Sequence, residues 1–441
     1  MPHKKLLSAL LCVLLCFTAA SAVQDTAPNQ SAPLAATASG LAEPPPAVIA
    51  PRAALYCAET GQLLLDKNAE SSAPPASITK VMTALLVLEH VPDLSATTTV
   101  SYDAVHSIEP GSTHIALDTG EVVTIGDMLA ALLIESANDA ANVLAEYVGG
   151  SLQGFADMMN EKAAALGCTG THFANAHGLD NPDHYVTAHD MARITAAAVQ
   201  YPDFMKYAGA TTYTMPVTNK QKETRIWATK QNMLRQNSKW YDPDVIAGKN
   251  GWTTGAHQTL VTVKRKGGIT LVAVVMGETQ KADCLTDTAT MFAYGYDRLH
   301  NVKLSASRQS EAAAAGFASA DVDALRAQTV LLPLDKTASD VTLACTGGEQ
   351  SPALTASLDG KTLLTIPLSL MTAGAPETDR SEDAVSTEVS VDRHAVKPAL
   401  LAGGAFGLIA LGLVSLVLYR MHRVHRQRRR IRALRSRNRR Y

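Results

Sequence analysis

Apolar residues recur with helical spacing in two stretches of the chain, three or four positions apart as on one face of a helix. In the first stretch these positions are Ile78, Val81, Met82, Leu85 and Leu86. In the second they are Met128, Leu129, Leu132 and Leu133. Thr124-Ile-Gly-Asp127, just before the second stretch, resembles a helix-capping box. A further helix over residues 140–148 is predicted to end at Gly149-Gly150.

Runs of aliphatic and β-branched residues joined by glycine turns predict antiparallel hairpins. Residues 53–58 and 62–65 flank Glu59-Thr-Gly61, and residues 259–264 and 269–276 are joined at Gly267-Gly268. A second group of predicted strands comprises residues 328–334, 340–344, 353–358 and 361–367, the last two joined at Asp359-Gly360. We therefore predict an α/β (α+β) domain over residues 48–300 and a small all-β domain over residues 301–371.

The two ends of the chain differ from this middle region. Lys4 and Lys5, an apolar stretch and Ala20-Ser-Ala22 predict a signal peptide over residues 1–22. Residues 23–47 are rich in Pro and Ala and predict a disordered linker, and the polar residues 372–398 predict a second linker. Residues 399–419 contain no charged side chain. A run of that length is predicted to cross a bilayer as one transmembrane helix.

Charge divides the chain into an acidic body and a basic tail. Residues 420–441 hold 11 Arg and no acidic residue, so the formal net charge of −2 for the whole chain leaves −13 for residues 1–419. Basic segments next to a membrane span stay in the cytoplasm. We expect a single-pass cell-membrane protein with its catalytic domain on the extracytoplasmic side. A nucleic-acid arm is the alternative, but a tail directly after a span favours lipid headgroups as partner.

The cysteines show no metal-binding pattern. Once the signal peptide is removed, Cys57, Cys168, Cys284 and Cys345 remain in a compartment that permits disulfides. They form no C-x-x-C pair and have no zinc spacing, so no structural metal is predicted. Their pairing stays open.

Three short motifs occur in the order Ser77-Ile-Thr-Lys80, Ser136-Ala-Asn138 and Lys249-Asn-Gly251. Because residues three apart share a helix face, Lys80 is expected to reach the Ser77 hydroxyl. Burial or a nearby positive charge lowers the pKa of a lysine and makes its neutral amine available as a base. The first motif therefore predicts a serine nucleophile activated by a lysine. Taken alone, the motif is better explained by a capped helix with a solvated lysine one turn on.

The second and third motifs supply groups that such a nucleophile needs. Ser136 is a candidate proton relay to the leaving amine, and Asn138 is a candidate substrate-binding amide. Lys249 is a candidate cation for a terminal carboxylate, and Gly251 lets a substrate backbone approach closely. The backbone N–H of Trp252, together with that of the nucleophile, is predicted to form an oxyanion hole.

With these residues the chain resembles the serine-type D-Ala-D-Ala carboxypeptidases, which are low-molecular-mass penicillin-binding proteins. The likeness extends over about residues 48–300. It includes Pro75-Ala-Ser-Ile-Thr-Lys-Val-Met-Thr-Ala84, Glu135-Ser-Ala-Asn-Asp-Ala-Ala141 and Asn175-Ala-His-Gly-Leu-Asp-Asn-Pro-Asp-His-Tyr185. The resemblance implies a β-lactamase/transpeptidase-like fold, with an antiparallel sheet flanked by helices, and no cofactor.

The resemblance also implies a reaction and its partners. Ser77 would attack the carbonyl between two D-alanines of a peptidoglycan stem peptide, with Lys80 as base and Ser136 as proton relay. Asn138, Lys249, Asn250, Gly251 and Trp252 would bind the substrate. β-Lactams would acylate the same serine as substrate mimics.

Two positions depart from the family pattern. Asn250 stands where the family usually has Thr, and Cys284 occupies about the place of an Arg that follows the last strand. We expect weaker binding of the terminal carboxylate and altered turnover, with acyl-enzyme formation retained. His177, His184 and His189 are assigned structural roles, because isolated histidines are weak evidence of a catalytic or metal site.

Two other functions stay open. A class A-like β-lactamase shares the Ser-x-x-Lys arrangement, although the Ala–Asn form of the second motif and the predicted anchor and β domain argue against it. A catalytically impaired, penicillin-binding wall scaffold is the other, with Asn250 and Cys284 as its support.

Overall fold

The computed structural model describes residues 46–304, 328–346 and 353–367. The strands are β1 (Arg52–Cys57), β2 (Leu63–Lys67), β3 (Thr97–Thr99), β4 (Val122–Thr124), β5 (Thr212–Met215), β6 (Arg225–Ala228), β7 (Val245–Thr253), β8 (His257–Lys266), β9 (Ile269–Glu278), β10 (Leu299–Lys303), β11 (Thr329–Pro333), β12 (Val341–Thr346), β13 (Ala353–Leu358) and β14 (Lys361–Pro367). The α-helices are α1 (Lys80–His90), α2 (Tyr102–His106), α3 (Ile125–Ala130), α4 (Asn138–Gly149), α5 (Leu152–Ala165), α6 (Ala188–Ala198), α7 (Pro202–Ala208) and α8 (Lys281–Asp297).

The main sheet has five strands in the order β2-β1-β9-β8-β7, and every neighbouring pair is antiparallel. Strand β7 is therefore an edge strand. Gly267 and Gly268 have φ of 59° and 80° between β8 and β9, a backbone that glycine adopts without strain and that suits a two-residue hairpin. The predicted antiparallel sheet with helices is confirmed.

Alternate residues of the strands enter two separate apolar clusters, one on each face of the sheet. Ala54 and Tyr56 pack with α1 and α6, whereas Ala53 and Leu55 pack with Phe292 and other residues of α8. This division follows from the two-residue period of a strand. Because both faces are covered, the central strands are almost continuously apolar.

The predicted helices form with shifted ends. The helix predicted from Ser77 opens as a 3₁₀ turn, Ala76–Thr79, and continues as α1. The Thr124 hydroxyl accepts a hydrogen bond from the Asp127 N–H at 3.0 Å, so the predicted cap of α3 is confirmed. Helix α4 ends at a left-handed Gly150 with φ of 69°.

The C-terminal strands join the fold through the β1–β2 hairpin. Strand β10 pairs with β11, so the boundary predicted at residue 300 falls within a strand. The buried Gln62 amide accepts from the Leu331 N–H at 2.6 Å and donates to the Leu331 carbonyl at 3.1 Å. Strands β12, β13 and β14 form a separate three-stranded sheet, close to the predicted bounds.

Within the described ranges, no helix combines the length and the apolar character needed to span a membrane. The predicted signal peptide, the second linker, the span at 399–419 and the basic tail lie outside these ranges, as do residues 23–45 of the first linker. Cys57, Cys168 and Cys284 are buried free thiols.

Candidate active site

The nucleophile lies in the short 3₁₀ turn at the start of α1, and neighbouring residues contact the backbone of this turn. Ala76, just before Ser77, has φ of 50°, which a residue with a side chain rarely adopts. The Thr79 hydroxyl donates to the Ala76 carbonyl at 2.9 Å. A Cβ on Gly178 would lie 1.9 Å from that carbonyl oxygen, so only glycine fits there.

A histidine completes this support without entering the chemistry. The Ala174 N–H donates to His184 Nδ1 at 3.0 Å, so the ring proton is on Nε2, which lies 2.8 Å from the Thr79 hydroxyl oxygen. Burial lowers the pKa of His184 to about 3, so the ring is neutral at physiological pH. This geometry fits the structural role predicted for His184.

Lys80 is fully buried, and its Nζ contacts three oxygen atoms. It lies 3.0 Å from Ser77 Oγ, 2.7 Å from Asn138 Oδ1 and 2.5 Å from the carbonyl oxygen of His177. Burial lowers the pKa of Lys80 well below its usual range, and the nearby Lys249 lowers it further. A neutral amine at this distance can accept the Ser77 proton.

The second motif lies where one helix ends and the next begins. Residues Ala131–Glu135 form a π-helical turn, and Ser136 then adopts the left-handed conformation with φ of 71° and ψ of 31°. Such turns are frequent at functional sites. Asn138 follows as the first residue of α4, and its amide faces Lys80 from there.

Lys249 connects strand β7 to the second motif. Its side chain is 2% exposed, and its Nζ donates to Ser136 Oγ at 2.9 Å and to the Asn250 carbonyl at 2.7 Å. Burial and then Lys230 lower the pKa of Lys249 to about 7, against the opposing charge of Glu135. The two buried lysines thus form two hydrogen-bonded pairs, Lys80 with Ser77 and Lys249 with Ser136, and Asn138 is also bonded to Lys80.

Gly251 brings β7 directly against the nucleophile. A Cβ at this position would lie 2.6 Å from the Ser77 backbone N and 2.5 Å from Thr259 Oγ1. The Thr259 hydroxyl in turn donates to the Pro75 carbonyl at 2.8 Å, which joins β8 to the same turn. The glycine of the third motif is therefore required by close backbone approach. The Trp252 side chain, next along, is 62% exposed.

Asn250 lies on the other face of β7. Its partner in the ladder is Leu260, which belongs to the cluster packed on α8. A small recess on this face brings Asn250 together with Cys284. The other residues that line the recess are Gln231, Gln258, Thr259, Leu260, Lys281 and Leu285. The two positions that depart from the family pattern are thus neighbours, and Lys281 adds a cation beside them.

The structure also supplies site residues that sequence reasoning missed. The His177 carbonyl contacts Lys80, and burial lowers the pKa of the His177 ring to about 3. Asp180 accepts from the Thr253 hydroxyl at 2.6 Å and from the Gly255 N–H at 3.1 Å, tying this loop to the end of β7. The family-like segment at 175–185 was the available signal for both. Lys230 and Lys281 belong to no motif, and nothing in their spacing indicated them.

His189 lies apart from these groups, with its Nδ1 2.6 Å from Glu70 Oε1. In the part of the chain that the structure covers, no three or more His, Cys, Asp or Glu side chains are arranged to hold a metal ion.

Comparison with known proteins places the chain in a family. The profile of the D-alanyl-D-alanine carboxypeptidase family matches residues 39–280, more than half of the chain. The chain belongs to this family, as the sequence motifs predicted.

Individual relatives agree with this assignment. The D-alanyl-D-alanine carboxypeptidase DacF of Bacillus subtilis is 31% identical over 242 residues, which cover 54% of this chain and 60% of DacF. DacC of Escherichia coli is 32% identical over 248 residues, covering 54% and 58%. The chain therefore spans about three-fifths of the length of these relatives. A crystal structure of D-alanyl-D-alanine carboxypeptidase from Mycobacterium tuberculosis superposes with a TM-score of 0.53 at 28% identity, covering 59% of this chain and 96% of that one.

Proposed function

We propose that this protein is a serine-type D-alanyl-D-alanine carboxypeptidase that removes the terminal D-Ala from peptidoglycan stem peptides. The observation that carries the proposal is the 3.0 Å separation between Ser77 Oγ and the buried amine of Lys80. An amine held out of water, with a second lysine close by, is a base that functions near neutral pH. Membership of the family supplies the substrate class.

The geometry supports a two-step acyl transfer. Lys80 takes the Ser77 proton as Oγ attacks the carbonyl of the penultimate D-Ala, and the resulting oxyanion is held by the backbone N–H groups of Ser77 and Trp252. The C–N bond then breaks, and the leaving amine takes the proton of Lys80 through Ser136 Oγ, which returns Lys80 to its neutral form. Water next attacks the ester and gives a proton to Lys80. That proton passes to Ser77 Oγ as the ester C–O bond breaks and the shortened peptide leaves.

Binding of the substrate carboxylate is assigned to the recess beside β7. Lys249 Nζ already donates to Ser136 and to the Asn250 carbonyl from a buried position. Lys281, at the first turn of α8, lines the recess with Asn250 and supplies a cation on the side where the family has its Arg. We therefore assign the carboxylate to Asn250 and Lys281, with Lys249 acting through Ser136.

The decisive experiment uses purified full-length protein. Fluorescent penicillin should label the parent and not Ser77→Ala, and D-alanine should be released from a D-Ala-D-Ala peptide by the parent alone. Absence of labelling in the parent would refute the proposal. Rapid repeated turnover of nitrocefin would instead favour the β-lactamase alternative.

A catalytically impaired penicillin-binding scaffold is a second candidate. The observation that favours it is the convergence of Asn250 and Cys284 in one recess, which removes two groups that the family pattern provides. A stable penicillin adduct on Ser77 without release of D-alanine would establish this function.

We further propose that residues 1–22 direct export and that residues 399–419 anchor the protein, leaving the basic tail in the cytoplasm. The support is the uncharged 21-residue run followed by 11 Arg. Cell fractionation tests this proposal. The full chain should sediment with membranes, and a chain ending at residue 398 should not. Recovery of both in the soluble fraction would refute the anchor.

A further inference from the structure

An ion pair next to the second motif joins two parts of the chain that are 95 residues apart. Lys230, in the loop after β6, donates to Glu135 twice: to its carbonyl oxygen at 2.9 Å and to its carboxylate at 2.6 Å. The side chains are 40% and 23% exposed, so the pair lies at the rim of the site. Lys281 Nζ in turn donates to the Lys230 carbonyl at 3.2 Å.

The position of this pair matters because Glu135 ends the π-helical turn. The next residue, Ser136, is left-handed, and its hydroxyl accepts from Lys249 at 2.9 Å. A hydrogen bond to the Glu135 carbonyl fixes the peptide plane between residues 135 and 136. The direction of the Ser136 side chain therefore depends on Lys230.

The same ammonium group contributes charge to the site. The charges that act on Lys80 are those of Lys249, Asp139 and Lys230, whereas the nearby rings of His177 and His184 are neutral at physiological pH. Those that act on Lys249 are Lys230, Glu135 and Lys80. Lys230 lowers the pKa of both lysines, whereas Glu135 raises the pKa of Lys249. The two members of the pair thus act with opposite sign.

We propose that Lys230 is a positioning residue for acyl transfer, which holds the turn at Ser136 through Glu135 and sets the charge around Lys80 and Lys249. This inference rests on the proposed function and names a residue outside the three motifs. It separates two roles of one ion pair, a mechanical one that both partners share and an electrostatic one in which they differ.

The test measures the rate of Ser77 acylation by fluorescent penicillin as a function of pH, with the melting temperature recorded for each variant. Lys230→Gln keeps a donor for the Glu135 carbonyl and removes the charge. The pKa of Lys80 then rises. The rising limb of the pH–rate profile, on which the acylation rate increases with pH, should therefore move to higher pH. We expect about a threefold lower rate on that limb, a modest effect because exposed charges are screened.

Three further variants make the result decisive. Glu135→Gln removes the opposing charge and should leave that limb in place or move it to lower pH. Lys230→Arg should restore the parental profile. Lys206→Gln removes a charge from a remote exposed lysine, which is paired with Asp203, and should change nothing.

Equal shifts in the same direction for Lys230→Gln and Glu135→Gln would overturn the proposal, because they would show a mechanical role alone. If Lys230→Gln does not fold, the parent is measured with added salt. Screening of the positive charges should move the rising limb of its pH–rate profile to higher pH, and a limb that does not move would refute the electrostatic role. A parent that penicillin does not acylate refutes the proposed function itself, which is a distinguishable result.

Discussion

The two faces of strand β7 differ in the polar groups that they present. On one face, Lys249 donates to Ser136 Oγ and to the Asn250 carbonyl, and Gly251 lies against the nucleophile. On the other, Asn250 lines a recess with Lys281 and the buried Cys284. The first face holds groups that we propose act in acyl transfer, and the second holds those that we propose bind the substrate carboxylate.

This comparison suggests that the chemical step and substrate recognition can change independently. Neighbouring strand residues point to opposite faces, so a substitution at 250 leaves the contacts of Lys249 in place. A protein of this kind can keep acyl-enzyme formation while its preference for a terminal carboxylate changes. Variants on each face should therefore affect different measurements.

The largest effect is expected from Lys80→Met, on the first face. Loss of the base should lower the rate of Ser77 acylation by about 10³-fold. Fluorescent penicillin labelling measures this rate. The melting temperature should be recorded beside it, because Met leaves the His177 carbonyl and Asn138 Oδ1 without the donor they have in the parent and should lower it. A variant that still acylates within tenfold of the parent would exclude Lys80 as the base.

Gly251→Ala should come next. Its new Cβ meets the Ser77 backbone N and Thr259 Oγ1, so the nucleophile turn has to shift. A displacement of about 1 Å is enough to lower the acylation rate by about 10²-fold. Parental acylation kinetics for this variant would show that β7 does not approach Ser77 closely.

The pH dependence of acylation should sharpen the comparison. The rate should rise as Lys80 loses its proton, by about tenfold per pH unit on that limb. It should fall again above about pH 7, where Lys249 becomes neutral. Asn250→Thr, on the second face, should leave both limbs in place, and a moved limb would contradict the separation of the two faces.

The smallest effects are expected on the second face, and they should appear with peptide rather than with penicillin labelling. Lys281→Met should raise KM for a D-Ala-D-Ala peptide by about tenfold, the loss expected for one partly exposed charged hydrogen bond. Cys284→Ala is the matched control from the same recess and should change KM little. Equal KM for the parent and Lys281→Met would remove Lys281 from carboxylate binding.

Asn250→Thr restores the residue that is usual in the family. D-Ala release from the peptide should rise a few-fold, on the order of one hydrogen bond. Rates equal to those of the parent would show that position 250 does not limit activity.

Much of this site could be predicted from the sequence because its chemistry resides in short motifs. Ser77 and Lys80 are three positions apart, and this spacing was enough to predict that their side chains lie together. The glycine turns were enough to predict the positions of the β8–β9 and β13–β14 hairpins. The ion pair between Lys230 and Glu135 could not be predicted from the sequence. The two residues are 95 positions apart, and a single exposed lysine belongs to no recognisable sequence motif. The face on which Asn250 lies became evident only from the register of β7 against β8.

The contact between Gln62 and Leu331 has a practical consequence. One side-chain amide engages both the N–H and the carbonyl of a single residue in β11, and both residues are buried. Separation of the two would leave those groups unsatisfied. A protease cut between residues 304 and 328 should therefore yield two fragments that co-elute from a sizing column until denaturant is added.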